Sequence, residues 1–193
     1  MTTRLVFDCV AAVRAGRLLF ENLSFSLAPG DAALITGPNG SGKSTLLRLA
    51  AGLLRPAAGE IDRTGSIALL TEASALDPEL SLLRAIEFWS AIDGQRAAAL
   101  PALVALGLAE LADVPVRMLS TGQRRRAALA RVVTSDAAIW LLDEPTNGLD
   151  DRSLDIFEAL VAKHRADGGI ALIASHLPTR WPGALSIALG IEP

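Results

Sequence analysis

Short apolar runs alternate along this chain with longer stretches in which apolar residues recur at helical spacing. The short runs have the length and composition of buried strands and predict strands at 32–36, 67–70, 138–142 and 170–175, with one more at 184–189. The helical spacing predicts helices at 46–51, 123–134 and 154–165, and several shorter ones between 81 and 111. Strands that alternate with helices predict an α/β fold with a parallel sheet.

Two segments interrupt this alternation. Near the start, strands predicted at 5–10 and 23–27 precede the first buried strand, so the chain opens with β structure. In the middle, residues at about 73–135 are rich in Ala and Leu, and we expect them to project from the sheet as a small helical subdomain. No repeat or linker divides the sequence, so residues 1–193 are predicted to form a single domain.

A glycine-rich loop follows the first buried strand. Its glycines would let the backbone wrap around phosphate oxygens, Lys43 would neutralise the β- and γ-phosphates, and the Ser44 hydroxyl would bind Mg²⁺. The alternative is a glycine-rich turn that matches the pattern by chance. The residues that fit the pattern G-x-x-x-x-G-K-[ST] without a mismatch are Gly37, Pro38, Asn39, Gly40, Ser41, Gly42, Lys43 and Ser44.

An acidic pair ends a later buried strand. Asp143 follows the run at 138–142 and is expected to reach the Mg²⁺ beside Ser44, while Glu144 is placed to polarise an attacking water. The alternative is that both carboxylates only cap a helix that begins near Pro145. Together with the glycine loop, the pair predicts hydrolysis of a nucleoside triphosphate.

A third motif, Leu119-Ser120-Thr121-Gly122-Gln123, stands between the other two, and the order of all three resembles the ATP-binding cassette (ABC) family. Members of that family are the ATPases that drive ABC transporters. The resemblance implies a P-loop NTPase fold with a RecA-like parallel core, an N-terminal antiparallel β subdomain and a small helical subdomain. It also implies ATP and Mg²⁺ as ligands, held in a head-to-tail dimer of two chains.

The same resemblance adds residues to the site. Thr45 extends the ATP-binding loop, and Asp150 corresponds to the D-loop aspartate, which contacts the opposite subunit's site. His176 corresponds to the switch histidine that hydrogen-bonds the γ-phosphate, so Glu144 and His176 are the predicted catalytic residues. The residues implied to bind the ATP of the partner subunit are Ser120, Thr121, Gly122 and Gln123.

Two positions depart from the family pattern. Ala15 stands where the family usually has an aromatic residue against adenine, although the guanidinium of Arg14 or Arg17 could stack on the base instead. After the strand at 67–70, where the family has a glutamine that touches Mg²⁺, the sequence reads Thr71-Glu72-Ala73. Glu72 is therefore a further candidate metal ligand, and a weakly hydrolysing cassette is an open alternative.

Exposure is predicted for several helical residues. At least two of Arg124, Arg125 and Arg126 are expected to form only a solvated basic face. His164, near a helix C-terminus, is expected to be a solvated cation without a function.

Apolar residues within 72–89 either fill the helical subdomain or line a groove for a membrane subunit's short helix. They are Leu80, Leu82, Leu83, Ile86, Phe88 and Trp89.

Composition limits the class of protein. A net charge of −3 gives no electrostatic footprint for nucleic acid. No apolar run approaches the ~18 residues of a membrane-spanning helix, and the first 20 residues lack a signal-peptide core. The chain is therefore expected in the cytosol. Cys9 is its single cysteine, which excludes an internal disulfide.

Within the ABC family, the short chain, the missing aromatic and the segments 119–131 and 139–145 most resemble the ATP-binding subunit of the bacterial heme exporter system of cytochrome c maturation. This resemblance implies a homodimer bound peripherally to integral membrane permease subunits, at the cytoplasmic face of the inner membrane. Heme would be handled indirectly, if at all. An exporter of a lipid, drug or peptide is the main alternative, and a non-transport ABC ATPase is disfavoured because the chain has one cassette and a compact insertion.

Overall fold

The computed structural model describes residues 2–175, Trp181 and residues 183–190. The strands are β1 (Arg4–Arg14), β2 (Arg17–Leu27), β3 (Ala32–Thr36), β4 (Ala58–Thr64), β5 (Ile67–Leu70), β6 (Ile139–Asp143), β7 (Ile170–Ala174) and β8 (Leu185–Ala188). The α-helices are α1 (Lys43–Ala50), α2 (Leu82–Ile92), α3 (Ala99–Ala105), α4 (Thr121–Thr134) and α5 (Asp151–Ala166). Single 3₁₀ turns occur at Arg96–Ala98, Ala109–Leu111 and Val116–Met118.

The centre of the molecule is a parallel sheet with the strand order β5-β6-β7-β3-β8. Its inner strands read as continuous apolar runs because both faces of the sheet are covered. On one face, Ile35 and Leu141 pack with residues of α1 and the first strands. On the other face, Leu142 and Ile173 pack with α4 and α5.

A second, antiparallel sheet has the order β2-β1-β4 and packs on the face that carries α1. Its first two strands form a hairpin in which Ala15 and Gly16 both have positive φ, 48° and 77°, as a two-residue type I′ turn requires. Strand β4 was not evident from the sequence, because Ile61 is the single apolar residue between Gly59 and Thr64. The predicted combination of an N-terminal antiparallel sheet with a parallel α/β core is confirmed.

Helices α2, α3 and α4 lie between β5 and β6 in the chain and share one hydrophobic core, in which Leu82, Ile86 and Leu103 are fully buried. The exact boundaries at 73 and 135 stay a prediction. Of the six apolar residues in question, five are buried or partly buried against this core, and Phe88 is 58% exposed. Filling of the core therefore explains all of them except Phe88.

Helix starts show one consistent difference from the sequence prediction. The structure begins α4 at Thr121 and α5 at Asp151, two and three residues before the predicted starts at 123 and 154. Ser120 and Asp150 cap these helices with their side-chain oxygens. In the part of the chain that the structure describes, no helix is both long and apolar enough to span a bilayer.

Candidate functional site

A cavity of about 940 Å³ opens at the carboxyl ends of β3, β5 and β6, where the three chemical segments of the sequence meet. This edge of a parallel sheet is the usual place for ligands in α/β folds. The predicted residues that line the cavity are Asn39, Gly40, Gly42, Lys43, Ser44, Thr45, Glu72, Thr121, Asp143 and Glu144.

The glycine loop is built to hold an anion. The Lys43 side chain is buried within the loop, and its ammonium donates to the carbonyls of Gly37 at 2.8 Å and Pro38 at 3.2 Å. Helix α1 begins directly behind it, so the helix points its N-terminal amides toward the cavity. Backbone amides and a fixed ammonium are the groups that bind phosphate in such loops.

Two details of the loop fit a triphosphate. The hydroxyl of Ser41 is buried and has no hydrogen-bond partner among the described residues, as expected of a donor kept for a ligand. Gly37, with φ 143°, has no room for a side chain, since a Cβ there would lie 2.4 Å from the carbonyl oxygen of Leu189. The loop therefore needs glycine at this position to keep its shape.

The acidic side of the cavity faces this loop. Asp143 is the last residue of β6 and Glu144 follows it, while Glu72 lies just after β5, the neighbouring strand. Carboxylate and hydroxyl oxygens are the ligands that Mg²⁺ prefers, so Ser44, Asp143 and Glu72 form a donor set that suits this ion beside a bound phosphate.

Glu144 has an unusual backbone. Its φ is 46°, in the left-handed region that non-glycine residues seldom adopt. Its amide donates to the carbonyl of Ala174 in β7 at 2.9 Å, which ties it to the sheet. Strained backbone of this kind persists only where surrounding contacts fix it, and it is concentrated at functional sites.

Those contacts include Arg125 of α4, a cavity-lining residue that is only 9% exposed. Its guanidinium donates to the carbonyls of Thr71, Asp143 and Glu144. Burial lowers the pKa of Arg125, and the nearby carboxylates of Asp143, Glu144 and Glu72 partly offset this effect. The predicted solvated face is wrong for this residue.

The two neighbouring arginines differ from each other. Arg126 is half-buried and donates to the carbonyls of Leu106 and Gly107. Arg124 is exposed and lines the cavity. Only one of the three arginines is therefore solvated, whereas at least two were expected to be. The sequence offered no signal that distinguishes Arg125, because each of the three arginines is followed three and four positions later by buried residues of α4.

The other end of the cavity is formed by the β1–β2 hairpin. Arg14 and Leu19 line it, next to Gly42 of the phosphate loop. Ala15 lies in the hairpin turn and does not line the cavity, and none of the described residues that line it is aromatic. The other cavity-lining residues that the sequence did not indicate are Ser74, Ala128 and Asn147.

The third motif forms the start of α4. Ser120 Oγ accepts from the Gln123 amide at 3.2 Å, and Gln123 Oε1 accepts from the Ser120 amide at 2.8 Å, which completes a capping box. Thr121 lines the cavity. Gly122 packs so closely on the next loop that a Cβ would lie 2.7 Å from the carbonyl oxygen of Gly148.

Two predicted residues lie elsewhere. Asp150 is exposed and caps α5, and its hydrogen bonds with Ser153 lower the pKa of its carboxyl group. It does not line the cavity. His176 lies outside the described residues, so its predicted role stays a prediction.

Comparisons with known proteins agree with this geometry. The model of the ABC transporter family matches residues 20–147. The chain is 53% identical over 192 residues to the cytochrome c biogenesis ATP-binding export protein CcmA of Sphingopyxis alaskensis, and the match covers 99% of each protein.

Solved structures share the fold. A metal-chelate type ABC transporter in an inward-facing conformation is 28% identical, with a TM-score of 0.84, and the match covers 98% of this chain and 80% of that one. A dimeric ATP-binding cassette in a post-hydrolysis state, bound to ADP and phosphate, is 24% identical, with a TM-score of 0.78, over 90% of this chain and 88% of that one. The predicted family is confirmed: this chain belongs to the ABC transporter ATPases and, among them, to the cytochrome c biogenesis ATP-binding export proteins.

Proposed function

We propose that this ATPase is the peripheral subunit of a membrane exporter that serves cytochrome c biogenesis, and that Glu144 is its general base. The observation that carries the proposal is the shared cavity of the phosphate loop and the acidic pair, in a chain with full-length identity to such an export protein. Nucleotide binding follows from the family. We also propose that the chain binds Mg²⁺, forms a dimer and attaches to a membrane partner.

The phosphate loop would hold the triphosphate. Lys43 is already fixed by two loop carbonyls, so it would turn its charge to the β- and γ-phosphates at little entropic cost. The Ser41 hydroxyl would gain the partner that it lacks in the described structure. Mg²⁺, held by Ser44 and Asp143 with Glu72 as a further ligand, would neutralise charge on the phosphates.

Glu144 would accept a proton from the attacking water. Glu144 lines the cavity immediately after the predicted metal ligand Asp143, and its backbone amide and carbonyl are both hydrogen-bonded. His176 would assist at the γ-phosphate. A fixed carboxylate needs no reorganisation when charge develops on the water, which is the condition for effective general-base catalysis.

A second chain would complete each site. Helix α4 begins with free amides behind Ser120, a suitable site for the γ-phosphate of ATP held by a partner. Thr121, Gly122 and Gln123 would belong to the same contact, and Asp150, exposed at the next helix start, would meet the opposite site. A cassette that shares the fold was solved as a dimer.

An exposed apolar face supports a membrane partner. Phe88 and Ile92 lie one turn apart on α2 and are 58% and 64% exposed. A permease subunit at the cytoplasmic face of the bacterial inner membrane would cover such a face with a short helix. Heme would then be the cargo of the membrane subunits, without direct contact with this chain, and nucleic acid would have no role.

The test is assembly of c-type cytochromes in the native bacterium after deletion of the gene. We expect covalently bound heme in these cytochromes to be lost, to return with the wild-type gene, and to remain absent with Glu144→Gln. Normal cytochromes in the deletion strain would contradict the proposal. If cytochromes are normal while another exported compound accumulates in the cell, the exporter has a different cargo.

A further inference from the structure

Arg125 connects helix α4 to the core of the site. Its guanidinium crosses from α4 to the ends of two core strands, where it donates to Thr71 after β5 and to Asp143 and Glu144 at the end of β6. The Thr71 contact is 2.8 Å and the Glu144 contact 2.5 Å. One buried side chain therefore serves three carbonyls in adjacent parts of the site.

The Glu144 carbonyl is the most informative of the three. Residue 144 has a left-handed φ of 46°, a conformation that is sterically unfavourable for an L-residue with a Cβ. Its amide donates to the Ala174 carbonyl, and its carbonyl accepts from the Arg125 guanidinium and, at 3.3 Å, from the Asn147 amide, so the peptide groups on both sides of its Cα are fixed. The direction of a side chain depends on the backbone at its own Cα. Arg125, whose side chain donates to the Glu144 carbonyl, therefore influences where the Glu144 carboxylate points.

We propose that Arg125 is a positioning residue for hydrolysis: its hydrogen bonds to the Asp143 and Glu144 carbonyls hold the backbone that aims the Glu144 carboxylate. This inference rests on the proposed role of Glu144. Because Arg125 belongs to the helix that begins at Thr121, a shift of that helix would also move the carboxylate. A partner's nucleotide that contacts α4 would thereby affect ATP hydrolysis in the subunit to which this α4 belongs.

A purely structural role is the competing explanation, and Arg131 represents it within the same helix. Its guanidinium donates to the Leu69 carbonyl in β5 at 2.6 Å and lies 4.7 Å from the centre of the Trp89 ring. Burial also lowers the pKa of Arg131. It therefore joins α4 to β5 but does not line the cavity, which makes Arg131→Gln a control for the loss of a buried arginine contact in the same helix.

The first test is a double-mutant cycle on the rate of a single turnover at saturating MgATP. Arg125→Lys keeps the charge but loses the planar fork, and we expect a rate about 100-fold lower, the usual cost of a small misplacement. In a Glu144→Gln background the same change should lower the remaining rate less than about threefold, because the group that Arg125 positions is already gone. Arg131→Gln should leave the rate near that of the wild type.

The second test needs no turnover. Amide hydrogen exchange of the nucleotide-free protein should accelerate in the segment 143–147 of Arg125→Lys, where Glu144 and Asn147 donate amide hydrogen bonds in the described structure. Arg131→Gln should leave this segment protected. Arg125→Gln serves as the second variant if Arg125→Lys does not fold.

The outcomes separate the two claims. Equal losses from Arg125→Lys with and without Glu144, or unchanged exchange at 143–147, would overturn the positioning role. If Glu144→Gln alone hydrolyses ATP at the wild-type rate, the proposed base is wrong, and the exchange experiment still decides whether Arg125 holds the backbone. Non-additive rates together with faster local exchange would support the inference.

Discussion

The indole of Trp140 and the imidazole of His164 stack with their ring centres 3.9 Å apart and their planes 8° from parallel. This contact joins the start of β6 to the last turns of α5. The imidazole Nε2 also lies 3.2 Å from the Ile170 carbonyl oxygen, and a Cβ at Gly169 would collide with the ring. Burial is the main cause that lowers the pKa of His164, against smaller opposing effects of the Ile170 hydrogen bond and of Asp167. The expected solvated cation is therefore wrong.

This contact predicts a pH-dependent stability. The unfolded chain binds the His164 proton with a pKa of about 6.5, and the folded chain binds it at lower pH, so protonation favours unfolding. The stability that neutral His164 contributes is fully present above its pKa in the unfolded chain and is lost as the pH falls through its pKa in the folded chain. We expect the melting temperature to fall between pH 7.5 and pH 5, and His164→Gln to reduce that fall. His176→Gln is the control, and an unchanged fall in His164→Gln would contradict the prediction.

Gly37→Ala should damage the phosphate loop. The added Cβ would meet the Leu189 carbonyl and the Ser41 hydroxyl, so the loop must shift away from its phosphate-binding shape. We expect ATP affinity to fall at least ~10-fold, equivalent to ~1.4 kcal/mol, in equilibrium binding. Gly94 also has a left-handed φ, but a Cβ there would meet no atom within 4 Å, so Gly94→Ala is the control. This control should lose some stability and keep its ATP affinity; equal affinities for both variants would contradict the account.

Arg14 should bind the base and not the phosphates. Because it lines the hairpin end of the cavity, Arg14→Ala should weaken ATP binding roughly 2- to 30-fold, the range for a guanidinium on a ring. Binding of inorganic tripolyphosphate should not change. Arg17→Ala, across the same turn but outside the cavity, is the control. An equal loss for ATP and tripolyphosphate would assign Arg14 to the phosphates instead.

The sequence predicted the chemical core of the site because its motifs are local. Residues 37–45 are contiguous, and their spacing alone fixes where Lys43 and Ser44 lie after β3. The buried strands were equally clear, since β3, β5 and β7 are apolar on both faces.

Long-range contacts could not be predicted in the same way. Arg125 looks like one of three similar arginines, and only packing places its guanidinium against Thr71, which is 54 residues away. Strand β4 is held by its pairing with β1 and not by its own hydrophobicity. The stacking of His164 on Trp140 likewise depends on how α5 crosses β6.

ATP should bring two chains together if the start of α4 in each chain binds the nucleotide of its partner. Light scattering of the Glu144→Gln variant should give the mass of one 20.2 kDa chain without nucleotide and twice that mass with MgATP. ADP is the nucleotide control, and Gly122→Asp should stay monomeric with MgATP because any side chain there must displace the start of α4 from the Gly148 carbonyl. A mass of one chain with MgATP at high protein concentration, with the membrane subunits present as well, would exclude the sandwich.

Single-turnover hydrolysis by Glu144→Gln decides whether Glu144 is the general base. The variant deletes the proposed base and keeps the shape of the side chain, so MgATP binding should stay near the wild-type value while the rate falls about 10²–10⁴-fold. Glu60→Gln, an exposed change on β4, should leave both quantities unchanged. A wild-type rate in Glu144→Gln would contradict the assignment of Glu144 as the base.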